Sequence, residues 1–262
     1  MQSAAKNLVP VTLELGGKSP AIVDETADID LAARRIVWGK LFNAGQTCVA
    51  PDYVYVHQSI KQTFLEKAMA EIKKQLGPQQ KESKSFARIV NDRNFERLAK
   101  MIDKEKVAFG GETDPNEKYI QPTLLQNVTW DDPVMQEEIF GPILPVLEYA
   151  DIGEVYKSVR QMPKPLSAYL FSQSEDNMDS FNQNLSFGGG CINDVIFHLS
   201  NPHLPFGGVG DSGSGSYHGE QSFITFSHCK SIMYRYGFLD LDARYGPYTD
   251  KKLKVLKRVL GF

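Results

Sequence analysis

Cysteine is scarce in this chain: three residues in 262, Cys48, Cys191 and Cys229, with no Cys-x-x-Cys pair. An odd, unclustered set argues against both a disulfide framework and a thiolate zinc site. The five histidines contain no His-x-x-x-His pair, so no metal site is expected. Neither sign of charge is in excess: 29 Lys and Arg stand against 32 Asp and Glu, a formal net charge of −3. Such a balance leaves no electrostatic footprint for nucleic acid or an anionic membrane. No run approaches the ~18 apolar residues of a spanning helix, and residues 1–7 lack the apolar core of a secretory leader. The expectation is a soluble, cytoplasmic, globular enzyme whose fifteen Phe and eleven Tyr fill a sizeable core.

Short apolar runs at 11–15, 21–23, 53–56, 106–109, 143–148 and 167–171 predict strands by length and by β-branched or aromatic content. Between them, residues 28–42, 60–76, 86–102, 153–161 and 176–185 carry apolar side chains at helical spacing. Ile60, Phe64, Leu65, Ala68, Ile72 and Leu76 form the clearest stripe, and Gly77-Pro78 stops it. Alternating strands and helices imply an α/β fold with a mostly parallel sheet flanked by helices. Residues 186–219 hold nine glycines and predict a long glycine-shaped loop region. Near the end, Leu253, Leu256 and Leu260 predict an amphipathic helix with a basic face, docked rather than lying on a membrane.

Two glycine patterns are set aside. Gly208-Val-Gly210-Asp-Ser-Gly213 matches a dinucleotide fingerprint in letters, but Asn201-Pro-His-Leu-Pro precedes it where a strand is required. Gly210-Asp-Ser-Gly213 is too short a match to support a serine nucleophile.

Three segments carry more chemistry. In Leu13-Glu14-Leu15-Gly16-Gly17-Lys18-Ser19-Pro20 a carboxylate flanked by leucines ends a strand, where α/β sites are usually built. Poor solvation there suits a base that takes up a proton near neutral pH; a strand-edge surface glutamate is the plainer alternative. In Asn43-Ala44-Gly45-Gln46-Thr47-Cys48 a thiol follows a tight turn whose backbone N–H groups can face a thiolate or an oxyanion. A small buried hydrophobe is the alternative for Cys48 and the expectation for Cys191 and Cys229. In Glu137-Glu138-Ile139-Phe140-Gly141-Pro142 a carboxylate and a ring share a loop tip, suited to ribose hydroxyls and a nicotinamide face. An acidic helix end followed by a turn is the plainer reading.

Together these segments resemble the aldehyde dehydrogenase superfamily over essentially the whole chain. Leu13–Pro20 is similar to its glutamate signature, Asn43–Cys48 to its cysteine signature, residues 137–142 to its cofactor loop and Pro205-Phe206-Gly-Gly-Val-Gly-Asp-Ser-Gly213 to its C-terminal glycine segment, in family order. Cys48-Val-Ala-Pro-Asp-Tyr53, Ser216-Tyr-His-Gly219 and Phe226-Ser-His228 resemble the class 3 branch, which oxidises aromatic and medium- to long-chain aliphatic aldehydes. The resemblance implies Cys48 as nucleophile, Glu14 as general base, and NAD or NADP as cofactor. It further implies Glu138 on the nicotinamide ribose, Phe140 beside the nicotinamide, Phe206 and His218 at the substrate entrance, and a homodimer.

In that family the glutamate signature lies near mid-chain, whereas Glu14 is the fourteenth residue here. The expected division is a remnant of the dinucleotide-binding domain over 1–14, a thiol domain over 15–215, and a bridging segment with a basic helix over 216–262. The rest of the dinucleotide-binding domain is expected to be absent, which leaves the 262 residues alone inactive as a dehydrogenase. A cofactor-independent thiol esterase and a non-catalytic assembly remnant are the alternatives.

Overall fold

Ala21 and Val23 pack on one face of a sheet and Ile22 on the other, and each central strand repeats this alternation. The computed structural model describes residues 1–238 and 240–261. Its strands are β1 Leu13–Glu14, β2 Pro20–Val23, β3 Tyr53–His57, β4 Val107–Phe109, β5 Thr113–Asp114 and β6 Tyr119–Ile120. They continue as β7 Thr123–Leu125, β8 Ile143–Tyr149, β9 Ser167–Phe171, β10 Gly189–Ile192 and β11 Gly213–Ser214. The helices are α1 Gln2–Ala5, α2 Ile29–Leu41, α3 Lys61–Leu76, α4 Asp92–Lys100, α5 Ile152–Gln161, α6 Glu175–Asn184, α7 Gly219–Thr225 and α8 Asp250–Leu260.

Seven strands form the main sheet in the order β10-β9-β2-β3-β8-β7-β4. All neighbours are parallel except the edge pair β4–β7. Strands β2 and β9 are buried along their whole length, as strands covered on both faces must be. On one face, Val23, Val54, Val146 and Phe171 meet Ile36 and Val37 of α2 and Phe64 and Ile72 of α3. On the other, Ile22, Tyr55, Leu147 and Leu170 meet Leu98 of α4, Val155 of α5 and Phe181 of α6. Each fully buried side chain of this kind contributes about 1.5–3 kcal/mol.

The helix starts obey capping chemistry. Asp28, Asn91, Asp151 and Ser174 each accept from a backbone N–H two or three residues on. Helical spacing predicts a helix over 86–102, but α4 begins only at Asp92: the Ile89 N–H donates to the Lys118 carbonyl, and Asn91 caps the helix from its first turn. The predicted strand over 11–15 shrinks to β1, which joins not the main sheet but β11, antiparallel. Within the predicted glycine loop lies β10, parallel to β9, where a Cβ on Gly190 would overlap the Ala168 carbonyl.

The chain divides into two compact units, Met1–Phe226 and Ser227–Phe262. The larger holds the sheet. The smaller carries α8, capped by Thr249 and tied to Asp242 through Lys252 at 3.1 Å, with Leu253 and Leu260 exposed. No helix among the described residues is long and apolar enough to cross a membrane.

Tyr169 on β9 donates its hydroxyl to the Val49 carbonyl at 2.6 Å, tying the sheet to the strand-entry turn beside Cys48. Tyr169→Phe leaves that buried carbonyl unpaired and is expected to cost about 1–3 kcal/mol. Urea unfolding should show a lower midpoint with an unchanged slope; a wild-type midpoint would contradict the role given to this bond.

Candidate active site

The thiol turn is held in a conformation that most residues avoid. Asn43, Ala44 and Gly45 all adopt positive φ, at 51°, 53° and 73°, and each non-glycine residue there costs about 1 kcal/mol or more. Side-chain amides hold it closed. Asn43 Nδ2 donates to the Gln46 carbonyl at 3.0 Å, and Gln46 Nε2 donates back to the Asn43 carbonyl at 3.1 Å. Gln46 also accepts from the Val90 N–H and donates to the Arg88 carbonyl. Gly45 is required by contact, because a Cβ there would overlap the Gly141 carbonyl oxygen. The thiol turn and the loop bearing Glu138 and Phe140 thus touch through two glycines.

Cys48 Sγ lies 3.2 Å from Glu14 Oε1 and donates to it. The other carboxylate oxygen, Oε2, accepts a short hydrogen bond from the Tyr217 hydroxyl. Glu14 is therefore held from both sides, and β1 is held by pairing of Glu14 with Gly213. Burial, then the hydrogen bond to Glu14 and the charges of Glu14 and Glu138, push the Cys48 thiol up to about 12, while its own backbone N–H opposes the rise. In this arrangement Cys48 is a thiol pointed at a proton acceptor.

Glu138 sits against the glycine turn that comes after Glu14. A Cβ on Gly16 would come within 2.7 Å of Glu138 Oε2, and the Gly17 N–H donates to the carboxylate. Burial and the nearby Asp52 raise Glu138 to about 7, against the pull of Gly17, Lys18 and Lys40. Phe140, two residues on, has φ 51° and a ring 40% exposed. A half-buried carboxylate and an exposed ring on one loop fit a ribose hydroxyl and a nicotinamide face.

Phe206 and His218, expected at the substrate entrance, lie beside Tyr217. Phe206 is 2% exposed, pairs backbone to backbone with Tyr217 and meets the Tyr217 ring edge to face at 6.1 Å. His218 stacks on Phe206 with centroids 5.2 Å apart, bonds the Leu199 carbonyl and lines a cavity of about 180 Å³ with Pro202 and Gln221. Of the other thiols, Cys191 is half-buried 3.6 Å from His198 Nδ1, whereas Cys229 is exposed rather than buried. No cluster of three or more metal-ligating side chains occurs among the described residues.

Glu14 is expected at a strand's end and is the last residue of β1. The rest of the site gathers at the amino ends of β2, β3 and β8, because residues 16–19, 48–52 and 138–142 all run into those parallel strands. Sequence reading also overlooks Tyr217, 203 positions from the carboxylate it holds, although Ser216-Tyr-His-Gly219 marks the segment. It overlooks an aromatic face as well: Trp38 stacks on Phe197 at 5.4 Å and tilts against Phe42 at 5.6 Å. These rings border a cavity of about 990 Å³ that includes Asn43 and Asp194.

Because thiolate is the nucleophile, alkylation of Cys48 by iodoacetamide in the native chain should keep rising past pH 9, where a free thiol levels off. Glu14→Gln removes the negative charge and should shift that profile to lower pH by a unit or more. An unshifted profile would show that Glu14 does not control the thiol.

Residues 1–232 match the aldehyde dehydrogenase family. The chain is 50% identical over 252 residues to 4,4'-diaponeurosporen-aldehyde dehydrogenase of Staphylococcus aureus, covering 95% of this chain and 55% of that protein. It is 47% identical over 255 residues to the dimeric NADP-preferring aldehyde dehydrogenase of Rattus norvegicus, covering 97% and 56%. Among solved structures, the substrate-bound state of Staphylococcus aureus AldH superposes with a TM-score of 0.95 at 49% identity, over 99% of this chain and 57% of that one. The chain thus spans about half the length of the curated relatives it matches. With its family match across most of its length and its parallel-sheet fold shared with AldH, the chain belongs to the aldehyde dehydrogenase family.

Proposed function

We propose that this chain supplies the thiol half of an NAD(P)-dependent aldehyde dehydrogenase that converts aromatic or medium- to long-chain aliphatic aldehydes to carboxylic acids. The observation that carries this reading is Cys48 Sγ at 3.2 Å from Glu14 Oε1, with Glu138 and Phe140 on the adjoining loop. The assembled protein is a cytoplasmic homodimer in this proposal, and the 262 residues by themselves do not turn over aldehyde.

Cys48 attacks the aldehyde carbonyl carbon, and its proton passes to Glu14 Oε1, to which it is already bonded. A thiol held near 12 is not deprotonated by water at pH 7, so an adjacent acceptor is needed. The Cys48 backbone N–H, facing its own sulfur, is a donor for the oxyanion that forms. A bound NAD(P)+ supplies the hydride acceptor, and Glu138 and Phe140 would hold its ribose and nicotinamide. With hydride passed to that acceptor, Cys48 would be left carrying a thioester. Glu14, steadied by Tyr217, releases the Cys48 proton to solvent, takes a proton from the water that hydrolyses the thioester, and returns it to the Cys48 sulfur as the acid departs.

The test is aldehyde-dependent reduction of NAD(P)+ by a protein in which this chain is joined to a dinucleotide-binding half. Activity lost in Cys48→Ala, and thioester hydrolysis slowed about 10²–10⁴-fold by Glu14→Gln with hydride transfer less affected, are the expected results. Inactivity toward both aldehyde classes would refute the reading. The Cys48–Glu14 pair also favours a second reading, cofactor-independent ester hydrolysis by the chain alone; turnover of an activated ester that survives Cys48→Ala would exclude it.

Glu138 adds a pH dependence. Its carboxyl is raised to about 7, and the ionised form is the stronger acceptor for ribose hydroxyls. The KM for dinucleotide should therefore fall as pH rises through about 7, and Glu138→Gln should flatten the profile. A pH-dependent KM that persists in Glu138→Gln would assign the titration to another group.

A further inference from the structure

The loop that carries Glu138 and Phe140 is held by charged side chains from three separate segments. Lys18 Nζ donates to the Glu137 carbonyl at 2.8 Å and to the Val134 carbonyl at 3.1 Å. Arg97, on α4, donates to the next two carbonyls, Glu138 at 3.2 Å through Nη1 and Ile139 at 2.6 Å through Nη2. Between them, Asp52 Oδ1 accepts the buried Ile139 N–H at 2.8 Å. Asp52 Oδ2 is paired with Lys18 Nζ at 2.5 Å, which closes the circuit. Three successive carbonyls and one N–H are thus fixed by charge-assisted bonds.

What these bonds hold is a loop under strain and under contact. Phe140 lies in the left-handed region that an aromatic residue disfavours. Leu98, next to Arg97 on α4, packs so tightly under Gly141 that a Cβ there would come within 2.6 Å of it. The same loop seats Glu138 against Gly16 and brings Gly141 against Gly45 of the thiol turn. Freed from its anchors, the loop could relieve Phe140 and lose both registers at once.

We propose that Arg97, with Lys18 and Asp52, is a positioning residue for the dinucleotide: it clamps the backbone of residues 137–139 so that Glu138 and Phe140 stand in register with the glycine turn and the thiol turn. None of the three is required to touch the reacting atoms. Arg97 is the accessible member, its side chain 25% exposed and also 3.4 Å from the Glu137 carboxylate, so it can be replaced without opening the core. The planar guanidinium sets a separate nitrogen on each of two adjacent carbonyls, a fixed fork that a lysine's single nitrogen lacks.

This inference rests on the functional reading above, and its test has an arm independent of that reading. In the 262-residue chain without dinucleotide, Arg97→Gln should speed hydrogen exchange of the Ile139 amide at least tenfold relative to the Ile22 and Val54 amides in the sheet. In the protein joined to a dinucleotide-binding half, the same variant should raise the KM for dinucleotide fivefold or more while the KM for aldehyde stays within twofold. Arg97→Lys, keeping the charge but only one nitrogen, should fall between wild type and Arg97→Gln in both measurements. Unchanged Ile139 protection, or exchange accelerated equally across all core amides, would overturn the clamp, as would equal rises in both KM values. A joined wild-type protein with no dehydrogenase activity would overturn the functional reading alone, since the exchange arm needs no dinucleotide.

Discussion

The Lys18–Asp52 ion pair is where the loops of the candidate site meet. Lys18 precedes β2, Asp52 precedes β3, and both reach the loop that precedes β8. The Asp52 N–H also donates to the Ser19 carbonyl at 2.8 Å, so the pair is bound to backbone as well as to itself. A buried pair of this kind adds little net stability, yet breaking it by removing one partner costs about 3–5 kcal/mol, because an uncompensated charge stays buried. Its value is geometric: the amino ends of three parallel strands are given one fixed spacing, and each carries a segment of the candidate site.

Around that spacing the structure accepts local cost. Positive φ at Asn43, Ala44 and Phe140 would not persist in isolated turns. They persist because Gln46, Arg97 and the packed glycines Gly45 and Gly141 over-determine them. The electrostatics show the same pattern. Cys48 and Glu138 are both pushed toward their neutral forms by burial and by acidic neighbours, while Lys40, buried beside them, is lowered to about 8. Lys40 and Glu138 are thereby brought close to neutral pH, and perturbations of this kind cluster at functional sites.

Much of this was legible in the residues. Glu14, Cys48, Glu138 and Phe140 each sit in a short segment whose composition is unusual for packing alone: leucine-flanked acid before two glycines, a thiol after a tight turn, adjacent acids before an aromatic and Gly-Pro. Strands β2, β3, β4, β8 and β9 and helices α2, α3, α5 and α6 were legible for a related reason, since apolar periodicity reports burial directly, whereas the three-residue β7 was too short to show one. Less legible was anything set by close backbone approach. β10 has glycine at 190 because the β9 backbone leaves no room for a side chain there, and glycine otherwise signals a loop. The two-residue β1 takes its register from β11, some two hundred positions away.

The sequence by itself determined the α/β class, the family resemblance and which side chains carry reactive groups, because those depend on residue type and local period. Tertiary structure alone decided that the site lies at the amino ends of the strands, that Tyr217 holds Glu14, that Phe206 is buried, and that Lys18, Asp52 and Arg97 converge on one loop. Such pairings depend on which backbones touch, and contacts between distant segments leave no periodic or compositional trace in the chain.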